Sequence, residues 1–293
     1  MIDGGRTRQR ALNVQQKLFQ MNITILTNRD LASCFALNRL IPGLAEHQVT
    51  VFLSSRVGSK PLALPLQHLK FVEQDLLNGL IAPLLDSGAL GRARVGQALF
   101  SFEQLAERVI GGVSTLNAIN DAAGYERYAE SKPDLVLSVR YGVILRDPAI
   151  SLPKHGVLNL HSGLLPDYKG VMATFWALLN KESEIGTTLH FIEDSSIDTG
   201  SIVTTTRLPV QPDRSYFWHV LSLYELGCAR ILDAVEVLDR GLALERHAQP
   251  DSGNYFSFPD QSALTRFAEQ GGRLFEPDEV LSVMRQFIGA DGV

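Results

Sequence analysis

The feature that most restricts how this chain can fold is its opening strand, helix and strand. "NITILTN" (22–28) is an apolar, β-branched run of strand length. Asp30 then stands where an N-cap belongs, and Leu31, Phe35, Leu37 and Leu40 recur at helical spacing before a second strand pattern, "QVTVFLS" (48–54). Strands joined through a helix lie parallel with a right-handed crossover, and a parallel sheet is covered by helices on both faces. An α/β domain follows. The turn after the first strand, "TNRDLAS", has no glycine to let the backbone approach a pyrophosphate, which argues against a dinucleotide fingerprint and an NAD-dependent oxidoreductase.

The pattern resumes further along. Pro133 closes a helix ahead of a strand at 135–139, and "HGVLNLHS" (155–162) is another strand. "ATFWALLNK" (173–181) is a helix, and "GTTLHFI" (186–192) and "SIVTTTRL" (201–208) are strands separated by the turn-rich "DSSIDTG" (194–200). Residues 59–121 read as mixed and mostly helical, with Ser101 and Gln104 as a capping box. The fold class is α/β: a mostly parallel, Rossmann-like twisted sheet flanked by helices, with a smaller C-terminal extension of helix and loop. We expect a disordered extension over 1–20, a main domain over 21–209 and the extension over 210–293. Within the last, 215–240 is one long amphipathic helix whose apolar stripe needs burial, which a homodimer would provide.

Composition bounds the partners. Lys and Arg number 27 against 32 Asp and Glu, and after residue 204 eight arginines and no lysine face thirteen acids. No basic cluster tracks a phosphate backbone, so no nucleic acid partner is expected. No apolar run reaches the roughly 20 residues of a membrane helix, so no membrane partner is expected either. Cys34 and Cys228 sit in apolar helical patterns without metal-ligand spacing, which points to reduced core thiols, a cytoplasmic location and no metal site.

The chemistry concentrates in "NLHSGLLPDYKG" (159–170). Asn159 and His161, two apart at a strand end, share a face, while Leu160 turns to the other side. Leu164, Leu165 and Pro166 stiffen the following loop, and Gly170 lets the chain turn away. Together with "NKESEIGTTLHFIEDSSIDTG" (180–200), this stretch resembles the folate-dependent formyltransferase family, in which Asn-x-His, a Leu-Leu-Pro loop, Tyr-x-Gly, a helix, Gly-x-Thr-x-His and Asp-x-Gly follow in that order. The resemblance is close over about 133–208 and holds in outline for the opening strands. Ser162 and Gly163 stand where that family usually has proline and serine.

The resemblance implies a catalytic domain over 21–209 that transfers a formyl group from the co-substrate 10-formyltetrahydrofolate to an amine, with Asn159, His161 and Asp198 as its triad. A fixed amide N–H and an imidazolium suit the charged oxygen of a tetrahedral intermediate, and the Asp198 carboxylate suits the proton that the amine loses. It further implies that the backbone of Val143, Ile144 and Leu145 reads the pteridine edge while their side chains wall an apolar slot. Glu193, Asp194, Ser195, Ser196 and Ile197 would form the opposite wall. The acidic tail argues against tRNA as acceptor, and the glycine-free first turn against a glycinamide ribonucleotide. A small amine is left, on a nucleotide-linked amino sugar or an ornithine-like compound of secondary metabolism. The alternatives are the same triad with water as acceptor, a folate-dependent deformylase, or a methionyl-tRNA or glycinamide ribonucleotide formyltransferase.

Other residues have plainer readings. His190 suits a structural role as well as a supporting one, Ser162 lacks the small neighbour of a nucleophile elbow, and Trp176 and Trp218 read as core. Arg29, Arg140 and Tyr141 are candidates for contacts with an acidic acceptor or the folate tail.

Overall fold

β1 (Asn22–Asn28) is buried on both faces, as an unbroken run of Ile, Leu and Thr in a parallel sheet requires. The computed structural model, which describes residues 21–55, 62–87 and 99–288, places it inside the sheet, with neighbours on both sides. The extension expected over 1–20 lies outside the described residues. Asp30 caps α1 (Leu31–Gly43) by accepting from the Ser33 N–H at 2.8 Å, and the helix returns the chain to β2 (Gln48–Ser54), parallel to β1. A helical excursion follows: α2 (Leu64–Lys70), two π-helical turns (Phe71–Asp75 and Leu77–Ile81) and α3 (Ala82–Asp86). α4 (Phe102–Ala106) opens on the Ser101/Gln104 capping box. β3 (Val113–Thr115) then extends the sheet beyond β2.

After α5 (Ala122–Glu130) the chain crosses to the other side of β1 and lays down β4 (Leu135–Val139) and β5 (Val157–His161), both parallel. A short β6 (Tyr168–Gly170) and α6 (Ala173–Leu179) lead to β7 (Glu184–Ile192), antiparallel beside β5, and β8 (Ile202–Pro209), antiparallel beside β7. The order is β3-β2-β1-β4-β5-β7-β8, a seven-stranded sheet that is mostly parallel. Strand order reverses between β1 and β4, and open α/β sheets bind ligands outside the carboxyl ends of strands at such a point.

α7 (Tyr216–Asp239), β9 (Asn254–Phe256), α8 (Gln261–Glu269) and α9 (Pro277–Ile288) complete the chain. The stripe of α7, including Phe217, Val220, Tyr224 and Ile231, is buried in the main core with Ile23, Ile25 and α1. The chain itself covers the surface for which a homodimer was expected, so the stripe gives no reason for a second subunit. At Gly227 the helix comes so near the sheet that a Cβ there would lie 2.8 Å from a Leu160 methyl. Leu160 therefore packs against α7, between the two polar residues that flank it. The opposite sheet face is sealed by a second cluster containing Leu26, Val136, Tyr128 and Leu145. Cys34 and Cys228 are buried free thiols, and no helix of the described residues is long and apolar enough to cross a membrane.

Since Ile231 is 1% exposed, Ile231→Ala is expected to lower stability by about 2–5 kcal/mol. Urea unfolding measures it, and a loss under about 1 kcal/mol would mean that α7 does not belong to the core.

Candidate active site

β5 and β7 build the site between them. In an antiparallel pair, directly opposed residues project on the same face, and the register sets Asn159 opposite His190 and His161 opposite Thr188. Asn159 Nδ2 lies 3.0 Å from His190 Nε2, and His190 Nδ1 lies 2.9 Å from the Phe191 carbonyl. A carbonyl only accepts, so Nδ1 carries a proton, and Nε2 is the ring atom turned into the site. Thr188 Oγ1 accepts from Leu165 N–H at 3.1 Å and donates to the Gly163 carbonyl at 2.7 Å. The Leu-Leu-Pro loop is thereby pinned to the strand.

That loop turns its own backbone onto the histidine. His161 Nε2 donates to the Tyr168 carbonyl at 2.6 Å, and its Nδ1 lies 3.4 Å from Asp198 Oδ2. Asp198 comes from the β7–β8 loop and holds a left-handed backbone, φ 56°. Its other oxygen lies 3.4 Å from His190 Nε2, and Oδ2 also accepts the Gly170 N–H at 2.8 Å. Burial drives this carboxyl upward, but His161, His190 and the Gly170 N–H outweigh it and hold it at about 2. Asn159, His161 and Asp198 thus meet, with His190 as the link between Asn159 and Asp198.

Two features of the site were not recognised in the sequence. The sequence leaves His190 open between a structural and a supporting role, although its place on the strand facing Asn159 is a usable signal. Gly163 is required by close approach: a Cβ there would lie 2.7 Å from His161 Nε2, 2.9 Å from the Tyr168 carbonyl and 2.6 Å from Ala173 Cβ.

The residues expected to hold the folate divide. Val143 is half-buried and Ile144 is 51% exposed, but the Ile144 carbonyl already accepts from Asn120 at 2.8 Å. Leu145 corrects the expectation, since its side chain is buried in the second core cluster and walls no slot. In the facing loop, Glu193 accepts from the backbone and hydroxyl of Ser201, and Asp194 accepts from Ser196 N–H at 2.6 Å. Both acids shape the loop, while Ser195 and Ile197 are exposed. The three side candidates are all engaged within the protein. Arg29 pairs with Glu103, Tyr141 donates to the Leu116 carbonyl at 2.6 Å, and Arg140 donates to Asp30 at 3.0 Å with Glu73 3.8 Å away. Burial pushes the Glu73 carboxyl up to about 7 against the pull of Arg140.

Because the folded Asp198 carboxyl sits at about 2 and its ordinary value is 3.8, its charge stabilises the fold above about pH 4. That contribution, of order 2 kcal/mol, is lost as pH falls towards 2. The gap in urea midpoint between the native protein and Asp198→Asn is therefore expected to be full at pH 5 and to narrow below pH 4. A gap that widens on acidification would contradict the assignment.

Residues 87–217 match the family model described as formyl transferase. A methionyl-tRNA formyltransferase of Geobacter sulfurreducens is 36% identical over 120 residues, 41% of this chain and 37% of that protein. Another, from Roseiflexus sp., is 28% identical over 186 residues, 63% of this chain and 56% of that protein. The chain thus spans less than two thirds of the length of these curated relatives. Among solved structures, a 4-N formyltransferase of Francisella tularensis aligns with a TM-score of 0.54 at 15% identity over 82% of this chain and 78% of that one. Glycinamide ribonucleotide transformylase 1 of Symbiobacterium toebii aligns with a TM-score of 0.53 at 17% identity over 80% and 95%. At such identities the structural likeness is one of fold. Over residues 87–217, a little under half of the chain, the sequence is thus similar to the formyl transferase family.

Proposed function

We propose that this chain transfers a formyl group from 10-formyltetrahydrofolate to the amine of a small-molecule acceptor. The reading is carried by the convergence of an amide, an imidazole and an ionised carboxylate from a strand end and a separate loop. In this reaction the amine nitrogen bonds to the formyl carbon, the bond from that carbon to N10 breaks, and the proton lost by the amine balances the one gained at N10.

Asn159, held beside His190 at 3.0 Å, offers an amide N–H to the oxygen on which charge develops. A preorganised donor there is worth about a hundred- to a thousandfold in rate. Asp198 is the ionised group available for the amine's proton, directly or through water. We assign His161 to Asp198 rather than to the oxygen, because its Nε2–H is committed to the Tyr168 carbonyl. Exposed Ile144 and Ile197, 51% and 36% accessible, are apolar side chains suited to flank a flat heterocycle, with the polar residues 193–196 beside Ile197.

For the acceptor, the excess of acids after residue 204 supports a small amine over a polyanion. A sugar N-formyltransferase from Shewanella has a like fold, with a TM-score of 0.54. Methionyl-tRNA is the second reading, favoured by the names of the curated relatives.

The test is to incubate the protein with 10-formyltetrahydrofolate and a panel of nucleotide-linked amino sugars, ornithine-like amines and methionyl-tRNA, following the folate product and the acceptor mass. Formylation of a small amine is expected. Formate release without any amine would instead establish a hydrolase, and formylation of methionyl-tRNA alone the second reading. Asn159→Ala is expected to lower turnover by about a hundredfold or more. Gly163→Ala, whose methyl crowds both His161 and the Tyr168 carbonyl, is expected to lower it at least about tenfold. Native rates in both variants would remove these residues from the mechanism.

A further inference from the structure

Beyond the contacts of Asp198 itself, a third segment laces together the two loops that supply the site. It begins at Arg246, whose guanidinium lies 3.6 Å above the Phe191 ring. His247 and Ile202 exchange both backbone hydrogen bonds at 2.8 Å. Gln249 then donates from one nitrogen to two main-chain carbonyls, Asp198 at 3.0 Å and Gly200 at 2.7 Å. Both partners are carbonyls, which only accept, so the amide is oriented with its nitrogen towards them.

The same segment continues onto the other loop. Lys169 Nζ donates to the Ser252 carbonyl at 2.8 Å, β9 pairs in parallel with β6, and Val171 N–H donates to the Phe256 carbonyl at 2.8 Å. Gly253, at φ 88°, passes so near Pro166 that a Cβ would lie 1.8 Å from its carbonyl oxygen, so no other residue fits there. Residues 246–257 therefore bind both the loop whose Tyr168 carbonyl holds His161 and the loop that carries Asp198.

We propose that residues 246–257 are a strap that sets the reactive geometry, and that Gln249 is a positioning residue acting through Asp198. The left-handed region costs a non-glycine residue some energy, least for Asn and Asp, so Asp198 can be held there by modest contacts and can also leave it when they are lost. Asp198 is held there at both ends: its carboxylate by Gly170 N–H, and its carbonyl by Gln249. Without the two donations from Gln249, the loop relaxes and the carboxylate leaves its place between the two imidazoles. The catalytic consequence rests on the formyl-transfer reading; the placement of Asp198 does not.

Gln249→Leu and the isosteric Gln249→Glu both remove the donors, and two measurements separate the claims. In the transfer assay, kcat is expected to fall at least about tenfold while KM for each substrate changes less than about threefold. In an Asp198→Ala background, Gln249→Leu is expected to cost less than about twofold further. Hydrogen exchange reads the placement directly: the Gly170 amide, bonded to Asp198, is expected to exchange at least about tenfold faster while the amides of β1 and β4 keep their protection. Native kcat with native Gly170 exchange overturns the proposal, and so does a full further loss in the Asp198→Ala background. Should the native protein formylate no amine, the formyl-transfer reading falls, and Gly170 exchange alone decides the strap.

Discussion

Keeping a carboxylate charged out of water is the constraint on which this site depends. Removing an ion from solvent costs several kcal/mol unless partners replace its hydration, and Asp198 has a side chain only 10% exposed. Its replacements are His161 from β5, His190 from β7 and the Gly170 N–H from β6. Three separate stretches of chain must therefore arrive together, so the charge is a test of the whole local fold. A slip of β7 by one residue would turn His190 to the other face, leaving Asp198 Oδ1 and the Asn159 amide without their shared partner.

The scaffold behind the site is built to prevent such a slip. Leu160, between Asn159 and His161, is clamped under α7 at Gly227, which fixes which face of β5 the polar pair takes. Thr188 bonds the Leu-Leu-Pro loop at two points. At the neighbouring strand ends, Arg140 is neutralised by Asp30 and lies near Glu73. That corner offers no unpaired cation from these residues. Together with the glycine-free turn after β1, this makes it a poor anchor for a phosphate, which fits an acceptor bound by other means.

The strands, the long helix and the shared face of Asn159 and His161 were legible because each rests on a local rule, whereas Asp198 was expected beside them only from the resemblance of the motif to a known family. Apolar runs of strand length gave β1, β2 and β4, the i, i+2 rule gave the shared face of Asn159 and His161, and Ser101 with Gln104 gave a cap. What could not be read depends on contacts far apart in the chain. Leu145 falls in an apolar run, and only packing decides that it joins Val136 and Tyr128 rather than a slot. The stripe of α7 has the same character whether its own sheet or a second copy covers it. Nothing near Gln249 marks it, because its partners are main-chain carbonyls about fifty residues earlier that any sequence would supply. The pairing of β6 with β9, three residues each, is too short to have a pattern of its own.

The departure of this chain from the usual pattern after the histidine has a structural reading that unites two of these points. A Cβ at position 163 would crowd both His161 Nε2 and the Tyr168 carbonyl, at 2.7 and 2.9 Å, so glycine there leaves room for the 2.6 Å bond between them. With that bond formed, one ring nitrogen is committed to the loop and the other is left facing Asp198. The substitution that loosens the motif at the level of sequence therefore tightens the site at the level of geometry. It fixes the imidazole against its own loop and turns it towards the carboxylate, and under the proposed function Asn159 is then the donor left for the developing charge.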